Sequence, residues 1–203
     1  MNLETKREAK LEIVQVGEPV LRQIARPLRA DEIQSPEIQR TIAAMLETLR
    51  LAPGVGLAAP QIGLGLRLAI IEDRAEYQSS WSAEQLRARG RAPVDSHVII
   101  NPELEVLDSN TQANFFEGCL SVAGYTAVVP RSTRVRVRYL DQRGDKQQVE
   151  AHGWYARILQ HEIDHLNGTL FIDHMKPRTF MSVKNYLDRW RNAEDEAHRI
   201  FGS

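Results

Sequence analysis

The stretch Trp154-Tyr155-Ala156-Arg157-Ile158-Leu159-Gln160-His161-Glu162-Ile163-Asp164-His165-Leu166-Asn167-Gly168 predicts a helix over 154–167 that Gly168 stops. Ile158, Leu159, Ile163 and Leu166 leave much of its surface apolar, so the helix is expected inside the molecule. His161 and His165 stand at i and i+4, about 40° apart around the axis, so both imidazoles can reach one metal ion. Glu162 projects beside them, placed to handle a proton without occupying a coordination position. Buried histidines need partners, and a metal ion supplies one.

A catalytic metal site takes three protein ligands and keeps one position open. His174 does not reproduce the spacing H-E-x-x-H-x-x-G-x-x-H of the longer helical zinc motif, because Asn167 and Gly168 close the helix first. Cys119, in Glu117-Gly118-Cys119-Leu120-Ser121 after Phe115-Phe116, is the better third ligand. Gly118 lets the backbone approach another group closely there. A lone cysteine also fits as a small buried hydrophobe, and the residues alone leave both readings standing.

Upstream of this helix, Arg134-Val135-Arg136-Val137-Arg138-Tyr139 alternates strictly, the mark of a strand with one wet face. Gly144 places a hairpin turn over 141–145, with a return strand over 146–151. Residues 98–100 and 103–107 read as strands split by Asn101-Pro102, and 66–71 as a short buried strand. The polar stretch 73–95, with Trp81 and Leu86 embedded, reads as an insertion carrying a turn of helix over 83–89. Earlier still, Ser35 and Pro36 open a helix over 36–50 with Ile38, Ile42, Met45, Leu46 and Leu49 on one face. Downstream, Val183, Tyr186, Leu187, Trp190, Ala197 and Ile200 form an apolar stripe on a long C-terminal helix. The pattern predicts the α+β class: one domain over 1–203, with antiparallel sheets around a central metal-binding helix and a C-terminal helix.

Three segments extend the reading. Gly54-Val55-Gly56-Leu57-Ala58-Ala59-Pro60-Gln61, Glu117-Gly118-Cys119-Leu120-Ser121 and Gln160-His161-Glu162-Ile163-Asp164-His165-Leu166-Asn167-Gly168 resemble the three signature motifs of the peptide deformylases, in the family's order. The similarity runs from Gly17-Glu18-Pro19-Val20-Leu21-Arg22 to Phe171-Ile172-Asp173. Stretches 121–131 and 153–160, Pro177-Arg178-Thr179-Phe180 and the 73–95 insertion are most similar to the organellar-type branch.

That resemblance implies a hydrolase that removes the formyl group from N-terminal formyl-methionine on new polypeptides and releases formate. It implies Cys119, His161 and His165 as ligands of one divalent metal, iron(II) ahead of zinc, nickel or cobalt. A hydroxide held at the fourth position would attack the formyl carbon, with Glu162 taking the proton and passing it to the departing amine. The Gln61 side-chain amide and the Leu120 N–H are implied as donors to the developing oxyanion. Val55, Gly56 and Gly118 would lie along the peptide backbone, and Trp154 and Ile158 around the methionyl side chain. Arg157 matches the same pocket wall, its stem lining it and its guanidinium expected to point outward. Glu117 and Asp164 fit behind the ligating histidines, and Asp164 equally fits a solvated face.

Two other functions share the helical motif. A zinc endopeptidase would draw its third ligand from elsewhere, and a structural metal module would close all four positions with protein groups. No convincing fourth ligand is seen.

Bulk properties narrow the partners. With 42% hydrophobic and 26% charged residues, the chain of 203 residues reads as an ordinary globular protein. A net charge of −1 gives no general drive toward nucleic acid or an anionic membrane. The single cysteine forbids an internal disulfide, which fits a reducing compartment. Residues 1–10 mix Lys6, Arg7 and Lys10 with Glu4 and Glu8 and have neither the apolar run of a secretory signal nor the look of a transit peptide. The expectation is a bacterial cytoplasmic protein, organellar only if a presequence has been removed. It would be a monomer or dimer acting on formylmethionyl nascent chains. Arg189, Arg191 and Arg199 on the last helix are candidates for a transient ribosome contact, with core packing the favoured role of that helix.

Overall fold

In the computed structural model residues 11–201 are described; the 1–10 segment read above lies outside them. Helix α1 covers Pro36–Arg50 as expected, with Ser35 Oγ accepting from Ile38 N at 3.3 Å. Ile38, Ile42, Met45 and Leu49 are buried on its inner face against Leu57, Leu68, Ile70 and Ile100. Helix α2 covers Ala83–Arg89 within the polar insertion, capped by Ser82 and stopped by Gly90 at φ +53°. Helix α3 covers Gly153–Leu166, and Gly168 at φ +73° ends that segment. Helix α4 covers Glu194–Phe201.

The strands are β1 (Gly56–Ala58), β2 (Leu68–Asp73), β3 (Val94–Val106), β4 (Gln112–Gly118), β5 (Tyr125–Ser132), β6 (Arg134–Leu140), β7 (Lys146–His152) and β8 (Met181–Ser182). They pair antiparallel in two sheets, ordered β1-β2-β3-β6-β7 and β4-β5-β8. The alternation in β6 holds: Val135 and Val137 are fully buried, while Arg136 reaches across to Glu105 and Glu150.

Helix α3 divides its surface between the sheets. Ala156, Ile158, Leu159, Ile163 and Leu166 pack on Ala58, Ile71, Ile99, Val135 and Val137 of the first sheet. Toward the second sheet it sends polar groups instead: Gln160 accepts from Ser132 N at 3.1 Å and donates to Ser132 O at 2.9 Å. One helix therefore carries an apolar floor and a polar wall, and the metal motif lies on that wall.

Three expectations need correction. Asn101-Pro102 does not divide two strands. Asn101 takes φ +50° and trades hydrogen bonds with the Leu28 backbone at 2.9 and 2.8 Å, and the register with β6 shifts between Ile100 and Glu103. An asparagine tolerates that backbone region, so β3 bulges and continues. The C-terminal stripe does not form one long helix. Val183–Asn185 is a single turn, Tyr186–Trp190 a π-turn closed by Arg191 N on Tyr186 O at 2.9 Å, and α4 starts afresh at Glu194. The wider turn rotates later residues off the 3.6-residue stripe. Tyr186 and Ala197 are buried against Phe116 and Val128, but Leu187 is 51% and Ile200 45% exposed. The third correction concerns Arg157, whose guanidinium turns inward.

Candidate metal centre

Strand β4 ends at Gly118, so Cys119 emerges from the second sheet where helix α3 crosses it. Cys119 Sγ stands 3.3 Å from His165 Nε2, and the ligand atoms of Cys119, His161 and His165 all lie within 4.8 Å of one another. Metal–nitrogen and metal–sulfur bonds of about 2.0–2.3 Å set ligands roughly 3.3–3.7 Å apart around a tetrahedral ion. The Cys119–His165 separation already matches one such edge. One thiolate with two imidazoles is a donor set that zinc, iron, nickel and cobalt all accept, so the residues present fit a divalent metal. His174, the rejected alternative, lies elsewhere and pairs with Asp164 at 3.4 Å.

Glu117 sets the chemistry of His161. Its Oε2 lies 3.0 Å from His161 Nδ1, while Arg131 contacts both of its oxygens at 3.0 and 3.1 Å and Arg157 Nη1 reaches Oε1 at 2.6 Å. Burial opposes the charged form of Glu117, but the His161 hydrogen bond and the Arg131 charge outweigh it and hold the carboxyl well below its usual range. A carboxylate only accepts, so His161 Nδ1 donates and Nε2 is left for a cation. Burial also opposes a charged His161; Cys119 and Glu117 outweigh it and raise the group well above its ordinary value. The pocket thus favours positive charge at this ring. His165 is driven the other way, first by burial and then by His161 and Arg131, so it stays neutral.

Asp164 was expected behind a histidine. Besides His174 it pairs with Arg131, which carries it to Glu117 and so to His161 at one remove. Arg131 was missed in sequence: nothing in the pattern of β5 distinguishes it from a solvated strand residue.

Glu162 is 3% exposed, and burial raises its carboxyl to about 7. A value near neutrality suits a group that must both take and give a proton. Gly56 makes room for it, because a Cβ there would meet Glu162 Oε1 at 2.2 Å and Cδ at 2.5 Å. The glycine read as room for a peptide backbone is first of all room for this carboxyl. Gly56→Ala is expected to push the carboxyl aside and cost about 10²-fold in kcat with metal content unchanged. Wild-type kcat in that variant, measured beside its metal content, contradicts the cradle.

Gln61 and Leu120 are drawn to the same place. Gln61 Oε1 accepts from Ala58 N at 2.8 Å, which commits the carbonyl end and turns Nε2 toward Cys119 Sγ at 3.5 Å. Leu120 O accepts from the Gln15 side chain at 3.0 Å, and a Cβ on Gly54 would stand 3.0 Å from Leu120 Cδ1. Val14 N donates to Gln61 O at 2.9 Å and Val16 N to Ser121 O at 2.7 Å, so the segment 14–16 ties both loops together. That tie left no signal in the sequence.

Val55, Trp154 and Ile158 share one hydrophobic cluster, and Phe115 meets Trp154 edge-on with centroids 6.2 Å apart. Gly56 in β1 and Gly118 in β4 stand on the outermost strands of the two sheets. Arg157 does not line an apolar pocket with its head outside. It is 3% exposed, and besides Glu117 it donates to Val129 O at 2.8 Å and Ala113 O at 2.6 Å.

Two imidazoles from one helix, a thiol from a strand end and a buried carboxyl beside them make a group that could hold a metal ion in a protein of the α+β class. Comparison with known proteins gives the family. Residues 10–181 match the polypeptide deformylase family model, and the chain belongs to that family. It is 49% identical to the chloroplastic peptide deformylase 1A of Solanum lycopersicum over 90% of this chain and 65% of that protein. It is 50% identical to the chloroplastic/mitochondrial peptide deformylase 1A of Arabidopsis thaliana over 90% of this chain and 68% of that one. The chain therefore spans about two thirds of the length of these relatives. The Met-Ala-Ser-bound class I type b peptide deformylase from Acinetobacter baumannii matches with TM-score 0.70 and 34% identity, over 81% of this chain and 99% of that one. Among the described residues no helix is long and apolar enough to cross a membrane.

Proposed function

We propose that this chain hydrolyses the formamide of N-terminal formyl-methionine on new polypeptides, releasing formate and a free amino terminus. The observation that carries the reading is the meeting of Cys119, His161 and His165 within 4.8 Å, with Glu162 buried next to them. Both sheets and α3 supply parts of that site, which supports one catalytic domain over 1–203. Cys119, His161 and His165 would hold a divalent ion, which would supply Lewis acidity to the reaction. Glu162 accepts a proton from the attacking water as its oxygen bonds to the formyl carbon, and gives that proton to the amine nitrogen as the C–N bond breaks. The Gln61 amide and the Leu120 N–H donate to the formyl oxygen as negative charge develops on it. Each such donor is worth about 3 kcal/mol of barrier.

The peptide is proposed to lie extended between the edge strands, pairing with Val55, Gly56 and Gly118 as an added strand. Trp154 and Ile158 then wall the methionyl side chain beside Val55. Iron(II) is the metal proposed, on family resemblance, and the donor set also accepts zinc, nickel or cobalt. The bacterial cytoplasm is the compartment proposed, with monomer or dimer left as the assembly. A ribosome contact through the C-terminal segment is a lesser reading, because Arg191 donates to Ser80 and lies 4.7 Å from the Trp81 ring centre.

The deciding assay gives anaerobically iron-loaded protein a formyl-Met peptide and an acetyl-Met control. Formate from the first and no acetate from the second is expected. Loaded, folded protein that releases no formate overturns the reading.

A further inference from the structure

Arg157 stands four residues before His161 on α3, on the same helical face. Its guanidinium is buried between the helix and the second sheet. Nη1 donates to Glu117 Oε1 at 2.6 Å and to Val129 O at 2.8 Å, and Nη2 donates to Ala113 O at 2.6 Å. The two carbonyls belong to β5 and β4, so the fork is fixed in place by backbone before it reaches the carboxylate. Arg131 grips both oxygens of Glu117, and Arg157 adds a further donor on Oε1 alone. The Oε2 side is the one turned to His161 Nδ1. A well-packed apolar side chain would often serve stability as well as a buried ion pair does. What the guanidinium adds is a fixed orientation for Glu117.

We propose that Arg157 is a positioning residue for the metal centre, acting through Glu117 to hold the His161 ring at its coordinating angle. The inference rests on the reading of Cys119, His161 and His165 as ligands. Arg157 is not one of the three candidate ligands. Its effect travels along Arg157–Glu117–His161. A lysine keeps the charge but not the planar fork, so it cannot reproduce the full set of contacts.

The test compares wild type with R157M, R157K, E117Q and the double variant E117Q/R157M, each loaded with cobalt(II). Metal affinity is read by chelator competition, the ligand field by the visible cobalt spectrum, and folding by thermal melting. R157M is expected to bind cobalt about 10- to 100-fold more weakly, the usual cost of losing an orienting partner of a metal ligand. Its cobalt bands should shift, and R157K should fall between R157M and wild type. The double variant should match E117Q within about twofold, because the two residues act in one line. Wild-type affinity and spectrum in R157M overturn the inference, as does full additivity in the double variant. If R157M does not fold, R157K decides, and a wild-type spectrum with wild-type affinity there overturns it. C119A that binds cobalt as wild type does sinks the ligand reading instead, so the two failures are told apart.

Discussion

Glu162→Gln is expected to leave metal content at the wild-type level and to cut kcat for a formyl-Met peptide by about 10²–10⁴-fold, the usual worth of a positioned proton-transfer group. Glutamine is nearly isosteric, so it fills the space that Gly56 leaves open without new strain. The amide can still donate and accept hydrogen bonds, but it cannot take a proton from water at neutral pH. The three candidate ligands stay, and KM should move little because the change is confined to one atom of a side chain that is 3% exposed. A loss confined to kcat marks an interaction made in the transition state. Substantial deformylation by this variant refutes the assignment of the base.

Cys119→Ala should abolish metal retention, and with it formate release. Two imidazoles on adjacent turns of a helix leave an ion two ligands short of a closed first shell, and the lost thiolate is the one anionic ligand. The fold should survive, because Cys119 only borders the cluster of Leu21, Val122, Ala127, Val129, Leu170 and Phe171. Metal per chain after chelator treatment is expected to fall to about a tenth of wild type or less. Normal metal content in a folded Cys119→Ala protein undoes the coordination scheme.

The amphipathic parts of the fold were legible in the sequence through their rhythm, and the wholly buried strand β2 through its short apolar run. Helix α1 announced itself through Ser35, Pro36 and its apolar row, and the β6–β7 hairpin through the strict Arg–Val alternation over 134–139 and the turn at Gly144. Strands β4 and β5 gave no such signal. Thr126, Ala127, Val128 and Val129 are all buried, because the Leu21–Phe171 cluster covers one face and the Tyr186–Ala197 cluster the other. A strand covered on both sides loses its two-residue rhythm. The C-terminal break was hidden for another reason. Tyr186 and Arg89 both bind Glu194, so contacts from the 73–95 insertion and the π-turn fix the start of α4, and no local pattern encodes them.

The site divides in the same way. His161, Glu162 and His165 were legible because helical pitch alone puts them together. Cys119 rested on family resemblance, since a strand pairing of β4 with β5 brings it there. Arg157 was misread for want of that same pairing: until Ala113, Glu117 and Val129 are known to face α3, a guanidinium on an apolar helix has nowhere to go but solvent. Buried charge is legible in sequence only when its partner is near in the chain.

The central claim is that one sulfur and two ring nitrogens meet on a single ion. X-ray absorption of the zinc-loaded protein measures this directly. The account predicts one sulfur at about 2.3 Å and two imidazole nitrogens at about 2.0–2.1 Å, with a lighter oxygen donor completing the shell. A spectrum with no sulfur shell contradicts it.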